Sequence, residues 1–195
     1  LPLKYCSLLS CSYSGSTLLS MLVGAHPQAV TFGDTYLQRK IDVSKIFCTC
    51  GRPVLDCDFR RKLEREMQRK GRPKYRCLYS RPYPFSNFFR QVGMGKKSWY
   101  FYSILPNNIR RAVFGGWYEK ERDYLDSLKK ISNALVYFDG SKNITRAELL
   151  SSLIPTMKVC HLIKDPRGFI YSSTVKRDKY PSYNDALRQW VKYND

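Results

Sequence analysis

Residues 3–24, LKYCSLLSCSYSGSTLLSMLVG, constrain this chain more than any other stretch: an apolar run enters a Ser/Gly-rich turn, and a helical apolar pattern leaves it. The pattern predicts a strand over 3–10 and a helix over 16–25, closed by Gly24 and Pro27. Such a unit gathers backbone N–H groups, the hydroxyls of Ser12, Ser14, Ser16 and Thr17, and the positive end of a helix around Gly15. It is a nest for an anion; the plainer reading is a Ser/Gly turn that only caps a helix. A Walker-type loop would carry Gly at position 10 and Lys at position 16, where this chain has Ser10 and Ser16. The lysine that reaches the outer phosphates of ATP or GTP is therefore missing, which disfavours both.

Further along, apolar runs bounded by turns alternate with helical patterns. A short extended stretch is expected at 30–33, a turn-rich cysteine loop at 44–58 and a basic helix at 59–70. Residues 71–98 read as irregular and aromatic-rich, two helices are expected at 99–112 and 117–132, and then comes ALVYFDG as a strand. A helix at 144–153, the strand KVCHLIKDP, a helix at 167–177 and a last helix from near Ser182 complete the reading. Strands alternating with helices predict an α/β fold with a central parallel sheet and crossover helices. In such sheets ligands bind outside the C-terminal strand ends, which here carry Ser12–Thr17, Asp139–Asn143 and Lys164–Arg167.

With 195 residues, 43% of them hydrophobic, the chain can bury one core, and a single domain over 1–195 is expected, with 44–98 as an insertion on the substrate side. No apolar stretch approaches the roughly 20 residues needed to span a bilayer. The sequence starts at Leu1 and stops inside a predicted helix, DALRQWVKYND, which reads as trimmed at the C-terminus; an upstream anchor, if removed, would be invisible. The compartment stays unassigned between the cytoplasm and the Golgi or secretory lumen. A formal net charge of +18 calls for an anionic partner. Residues 60–76 alone hold nine Lys/Arg against two Glu, either as a solvated face or as a landing strip for an acidic acceptor, a membrane surface or nucleic acid.

Seven cysteines, at 6, 11, 48, 50, 57, 77 and 160, leave at least one unpaired. Cys6 and Cys160 fall in strand patterns and read as small buried hydrophobes. Cys11 opens the anion loop, where N–H dipoles could lower a thiol pKa, but no base is adjacent in sequence. Cys48-Thr-Cys50-Gly…Cys57 has a spacing tighter than an ordinary zinc knuckle and no His at ligand spacing, which disfavours zinc, and a disulfide within it would imply an oxidising compartment.

Ser14-Gly-Ser-Thr-Leu-Leu leading to His26-Pro27, then Asp139-Gly-Ser-Lys-Asn143, then Leu162-Ile-Lys-Asp-Pro-Arg-Gly-Phe-Ile-Tyr-Ser172, occur in the order found in sulfotransferases that use 3′-phosphoadenosine-5′-phosphosulfate. The chain resembles that family over nearly its whole length. The resemblance implies a P-loop-like, three-layer α/β/α fold and transfer of a sulfuryl group to a hydroxyl or amine of a glycan, a protein tyrosine or a small molecule. It also implies an anionic nucleotide co-substrate, no metal, and an acceptor that is acidic in some members. A similar C-x-C-G…C segment occurs in bacterial-type members.

Carried over position by position, the resemblance assigns Ser12, Tyr13, Ser14, Gly15, Ser16 and Thr17 to the 5′-phosphosulfate loop. Lys164 and Ser172, with Arg167 between them, take the 3′-phosphate site, where the family carries Arg in place of Lys164; a strand exit with Asp165 as helix N-cap is the plainer reading. The family's cation before Ser-Gly is here Tyr13, a phenol that can donate a hydrogen bond but carries no charge. Lys142 is the expected replacement near the sulfuryl group. Asp34, in Gly33-Asp34 shortly after His26-Pro27, matches the acidic general base, with an N-cap role as the alternative. His26 is expected to order the helix end and His161 to lie in the core. The sequon Asn143-Ile-Thr145 shares the Lys142 loop, and a glycan there would obstruct it. Two other readings stay open: a P-loop kinase or NTPase, and a non-catalytic basic module for acidic glycan or, less in keeping with the motifs, nucleic acid.

Overall fold

A computed structural model describes residues 3–33, 47, 48, 50–72 and 104–194. Four strands, β1 (Lys4–Ser10), β2 (Ala29–Thr31), β3 (Val136–Asp139) and β4 (Lys158–Leu162), form one all-parallel sheet in the order β2-β3-β1-β4. Among the described residues six α-helices accompany it: α1 (Ser16–Gly24), α2 (Asp58–Arg69), α3 (Asn107–Ile131), α4 (Ile144–Leu153), α5 (Pro166–Thr174) and α6 (Tyr183–Asn194). The α/β class with a parallel sheet agrees with the sequence reading. The chain forms two compact units: Leu1–Thr35, Ala134–Ile144 and Thr156–Asp195 make the first, and Tyr36–Asn133 with Thr145–Pro155 the second.

The first unit holds the whole sheet. β1 is central, with Lys4 opposite Val136 on one side and Cys6 opposite Lys158 on the other. Burial on both faces explains why Tyr5, Ser7 and Leu8 are all nearly inaccessible, without polar-out alternation. β1 sends its connection through α1 past β3 to β2, while β3 sends its own past β1 to β4. Adjacent strands whose chains depart in opposite directions mark a switch point, and the space outside their C-terminal ends is where open α/β sheets take ligands. α1 rests on β2 and β3. Its buried residues are Ser16 and Ser20, whereas Leu18, Met21 and Leu22 are exposed. Small side chains on that face let the helix lie close to the sheet. At the far end of β1, Cys11, Phe169 and Ala186 form a buried cluster against which Tyr13, Ile170, Tyr180 and Trp190 pack, tying α5 and α6 to the loop after β1.

The second unit packs α2 against α3, with Leu63, Met67, Phe114, Tyr124, Leu128, Leu149 and Leu150 among its buried residues. The two helices expected at 99–112 and 117–132 are, within the described residues, one 25-residue helix, α3. Gly115 and Gly116 do not break it: each costs roughly 1 kcal/mol of helix propensity, and the flanking Phe114, Trp117 and Tyr118 are buried and hold the helix through that point. A second correction concerns β4. It is an edge strand, His161 is exposed rather than in the core, and Cys6 and Cys160 are half-buried. Among the described residues it has one neighbouring strand, β1, and its burial pattern leaves Lys158, Val159 and His161 exposed.

Candidate functional site

Gly15, with φ of 92°, turns the chain from the loop into α1. That left-handed conformation is one a side chain resists. No side chain caps the helix, so the first α1 amides keep their donors for a ligand. Around them lies a cleft of about 360 Å³, lined by Ser12, Tyr13, Gly15, Ser16 and Thr17 together with Lys142 and Arg177. The loop residues expected to hold an anion and the lysine expected to face it thus share one cavity. Two further serines stand close in sequence: Ser14 Oγ and Ser141 Oγ are buried and have no hydrogen-bond partner among the described residues. Buried hydroxyls are normally satisfied.

The Lys142 loop is fixed from below. Asp139, 1% exposed at the end of β3, accepts from the Ser141 amide at 2.9 Å through Oδ1 and from the Tyr5 hydroxyl through Oδ2. Tyr13 and Lys142 both adopt positive φ, 65° and 57°. For residues with a Cβ this costs of order 1–3 kcal/mol each, a strain typical of ligand-binding loops. Tyr13 also leans its ring on Phe169, centroids 6.5 Å apart, which keeps it part of the loop's support as well as of the cleft wall.

Lys164 and Ser172 come together, as the resemblance implies. Lys164 Nζ donates to Ser172 Oγ at 2.8 Å, Ser172 donates to the Gly168 carbonyl at 2.7 Å, and the Trp190 indole donates to the Lys164 carbonyl at 2.7 Å. Arg167 behaves differently. It is 90% exposed and held in a two-pronged contact by Asp165, which also caps α5 through the Arg167 amide. These bonds bring the Asp165 carboxyl down to about 2 from an ordinary 3.8. The N-cap reading of Asp165 is therefore realised alongside the Lys164–Ser172 pair.

Asp34 lies outside the described residues, as does Cys77. Cys11 is not an activated thiol: burial pushes its pKa up, against smaller opposing contributions from its backbone, Lys164 and Lys142. His26 accepts a hydrogen bond from the Gln28 amide at 3.1 Å and so orders the turn after α1. Arg177 escaped the sequence reading. It follows α5 in VKRDK, and its signal was only that of one cation among many.

Four cations of the basic strip, Arg61, Arg69, Lys70 and Arg72, pair within their own unit. Arg61 meets Asp56 at 2.5 Å; Arg69 and Lys130 both meet Glu66, the lysine at 2.6 Å; Arg72 meets Asp123 at 3.0 Å; Lys70 meets Asp126 at 3.5 Å. Deeper, Arg146 and Glu121 pair at 2.6 Å, with Arg146 lying 5.8 Å over the Trp117 ring. No described helix is long and apolar enough to cross a membrane. Compared with protein-family models, curated proteins and solved structures, the chain matches none of them.

Proposed function

We propose that the chain is a sulfotransferase of P-loop-like, three-layer α/β/α type that moves a sulfuryl group from 3′-phosphoadenosine-5′-phosphosulfate to a hydroxyl or amine. The observation that carries the reading is the shared cleft: the hydroxyl-rich loop after β1 and Lys142 after β3 line one cavity at a strand switch point. Its chemistry matches the first two resemblance segments, and the Lys164–Ser172 bond supplies the third.

In this reading the α1 amides, Ser12, Ser16 and Thr17 hold the 5′-phosphosulfate, and Lys164 with Ser172 holds the 3′-phosphate. Lys keeps the charge of the family's Arg and loses its forked geometry. Sulfuryl transfer, like phosphoryl transfer, asks the protein for in-line positioning, cations at the bridging oxygen and a base for the acceptor proton. Lys142 and Arg177 provide the positive charge that Tyr13 lacks, and Asp34 takes the acceptor proton. No step of this scheme requires a metal.

Calorimetry with 3′-phosphoadenosine 5′-phosphate beside ATP, each with and without magnesium, tests the reading. Metal-independent binding of the bisphosphate with weaker ATP binding is expected. Equal or tighter binding of magnesium-ATP overturns it in favour of a kinase or NTPase. Bisphosphate binding without turnover on any acceptor, with activity gained in Tyr13→Lys, would identify a binding module on the same fold.

A further inference from the structure

Outside the cleft, the second unit carries three cysteines that the sequence reading treated as a loop. Cys48 and Cys50 sit in one tight turn: the Cys48 amide donates to the Arg52 carbonyl at 2.8 Å and the Gly51 amide to the Cys48 carbonyl at 2.9 Å. Gly51, at φ of 83°, takes the left-handed position such a turn requires. Phe47 and Pro53 close the turn as an antiparallel bridge. A single 3-10 turn, Val54–Asp56, then carries the chain to Cys57, the N-cap residue of α2. The result is local and specific: the sulfurs of Cys48, Cys50 and Cys57 lie within 4.8 Å of one another.

From this geometry we infer a tri-thiolate site for a thiophilic divalent cation of the zinc type, built by the Cys48–Arg52 turn and the start of α2. The missing histidine is not needed, because Cys57, seven residues past Cys50 and turned back by the 3-10 helix, supplies the third soft ligand. Three sulfur ligands with a fourth position open match the tetrahedral preference of Zn²⁺. Cys57 is 3% exposed and Cys50 is exposed, so the cluster runs from the interior to the surface. The carboxylates flanking Cys57 are already engaged, Asp56 by Arg61 and Asp58 by Arg52.

Burial pushes the Cys57 thiol up, and its contacts with the Cys48 and Cys50 thiols push in the same direction. Zinc binding forms three Zn–S bonds and releases three thiol protons to solvent, with no change of oxidation state, so affinity falls steeply as pH is lowered. The bound ion ties the loop to the first turn of α2.

The test loads the whole chain, kept reduced, with Zn²⁺ and then with Co²⁺ as a spectroscopic probe. One ion per chain is expected to survive dialysis, with thiolate-to-cobalt charge-transfer absorption and three thiols shielded from a thiol reagent. Cys50→Ser, at an exposed position where folding is unaffected, should weaken Zn²⁺ binding by about 10²-fold or more, beyond the loss seen for outer-shell partners. Cys160→Ser should leave the affinity unchanged. The inference is overturned if Cys50→Ser and Cys48→Ser bind Zn²⁺ like the wild type, or if the reduced wild type retains no ion. It is equally overturned if the chain isolated without reductant carries a Cys57 disulfide to Cys48 or Cys50 and no metal.

Discussion

Inside the second unit Arg146 and Glu121 meet at 2.6 Å, both less than a tenth exposed, whereas in the first unit Lys142 and Arg177 line an open cleft among serine and threonine hydroxyls. The strip around α2 extends the contrast, since Arg61, Arg69, Lys70 and Arg72 are matched to Asp56, Glu66, Asp126 and Asp123 of the same unit. A formal charge of +18 is thus divided between two uses. Paired cations of the second unit join its helices, while Lys142 and Arg177 line a cleft near Ser14 and Ser141, whose buried hydroxyls have no hydrogen-bond partner among the described residues. Position in the topology, not local density of Lys and Arg, separates the two.

The largest effect expected from this contrast is on stability. Arg146→Ala strands a buried Glu121 and should cost about 3–5 kcal/mol in a denaturant titration; a loss under about 1 kcal/mol would mean the pair is not the internal anchor it resembles. Next is catalysis. Lys142→Ala should lower turnover by about 10²- to 10³-fold with little change in nucleotide affinity, and Tyr13→Lys should be tolerated or activating. Normal turnover in Lys142→Ala would return that lysine to the class of surface charges. A smaller, selective effect belongs to the 3′ pair. Lys164→Ala and Ser172→Ala should each weaken 3′-phosphoadenosine 5′-phosphate by roughly tenfold or more, the worth of one charged hydrogen bond, and leave 5′-AMP nearly unchanged. Equal losses for both ligands would move the pair out of the 3′ site.

Paired charges at the surface should matter least. Lys70→Ala is expected to shift stability by less than about 1 kcal/mol and to leave nucleotide affinity alone; a large loss of nucleotide affinity would make α2 a binding face after all. Acid gives the last and smallest signal. Asp165 sits at about 2 against an ordinary 3.8, so its contribution to stability is present above pH 4 and fades as pH falls toward 2. Asp165→Asn should flatten that part of the pH profile, and an unchanged profile would assign the acid sensitivity elsewhere.

The loop after β1 could be read in advance because its chemistry is local: the apolar run, the Ser/Gly turn and the following helix are consecutive. Lys164 and Ser172 were legible only through the order of the family's motifs, since the Lys-Asp-Pro-Arg turn by itself reads as a strand exit with Asp165 as N-cap, a role Asp165 also fills. Arg177 was not, since its position in the cleft depends on where α5 ends and the chain turns after it, with Asp178 at a φ of 46°. Periodicity also failed to give the uninterrupted course of α3 past Gly115 and Gly116, which rests on aromatic packing rather than on propensity. The exposure of His161 followed from strand order, and a run of five residues does not say whether its strand will have one neighbour or two. In the cysteine loop the tight C-x-C spacing and the lack of a following His spoke against a ligand set, and nothing local in the sequence shows the 3-10 turn that brings Cys57 back toward Cys48 and Cys50.

The placement of β1 at the centre of the sheet has a consequence for how the chain reaches this state. Its tether to β3, the Tyr5–Asp139 hydrogen bond, joins residues 134 positions apart, and β4 comes later still. On a ribosome adding about 5–20 residues per second, the first strand therefore waits on the order of ten seconds for its neighbours. Contacts this distant in sequence place the sheet among slow folders. Through that interval KYCSLLS is an apolar strand with both edges open, the kind of segment that pairs with the wrong chain. Refolding yield should accordingly fall with protein concentration sooner than the native state's stability would suggest.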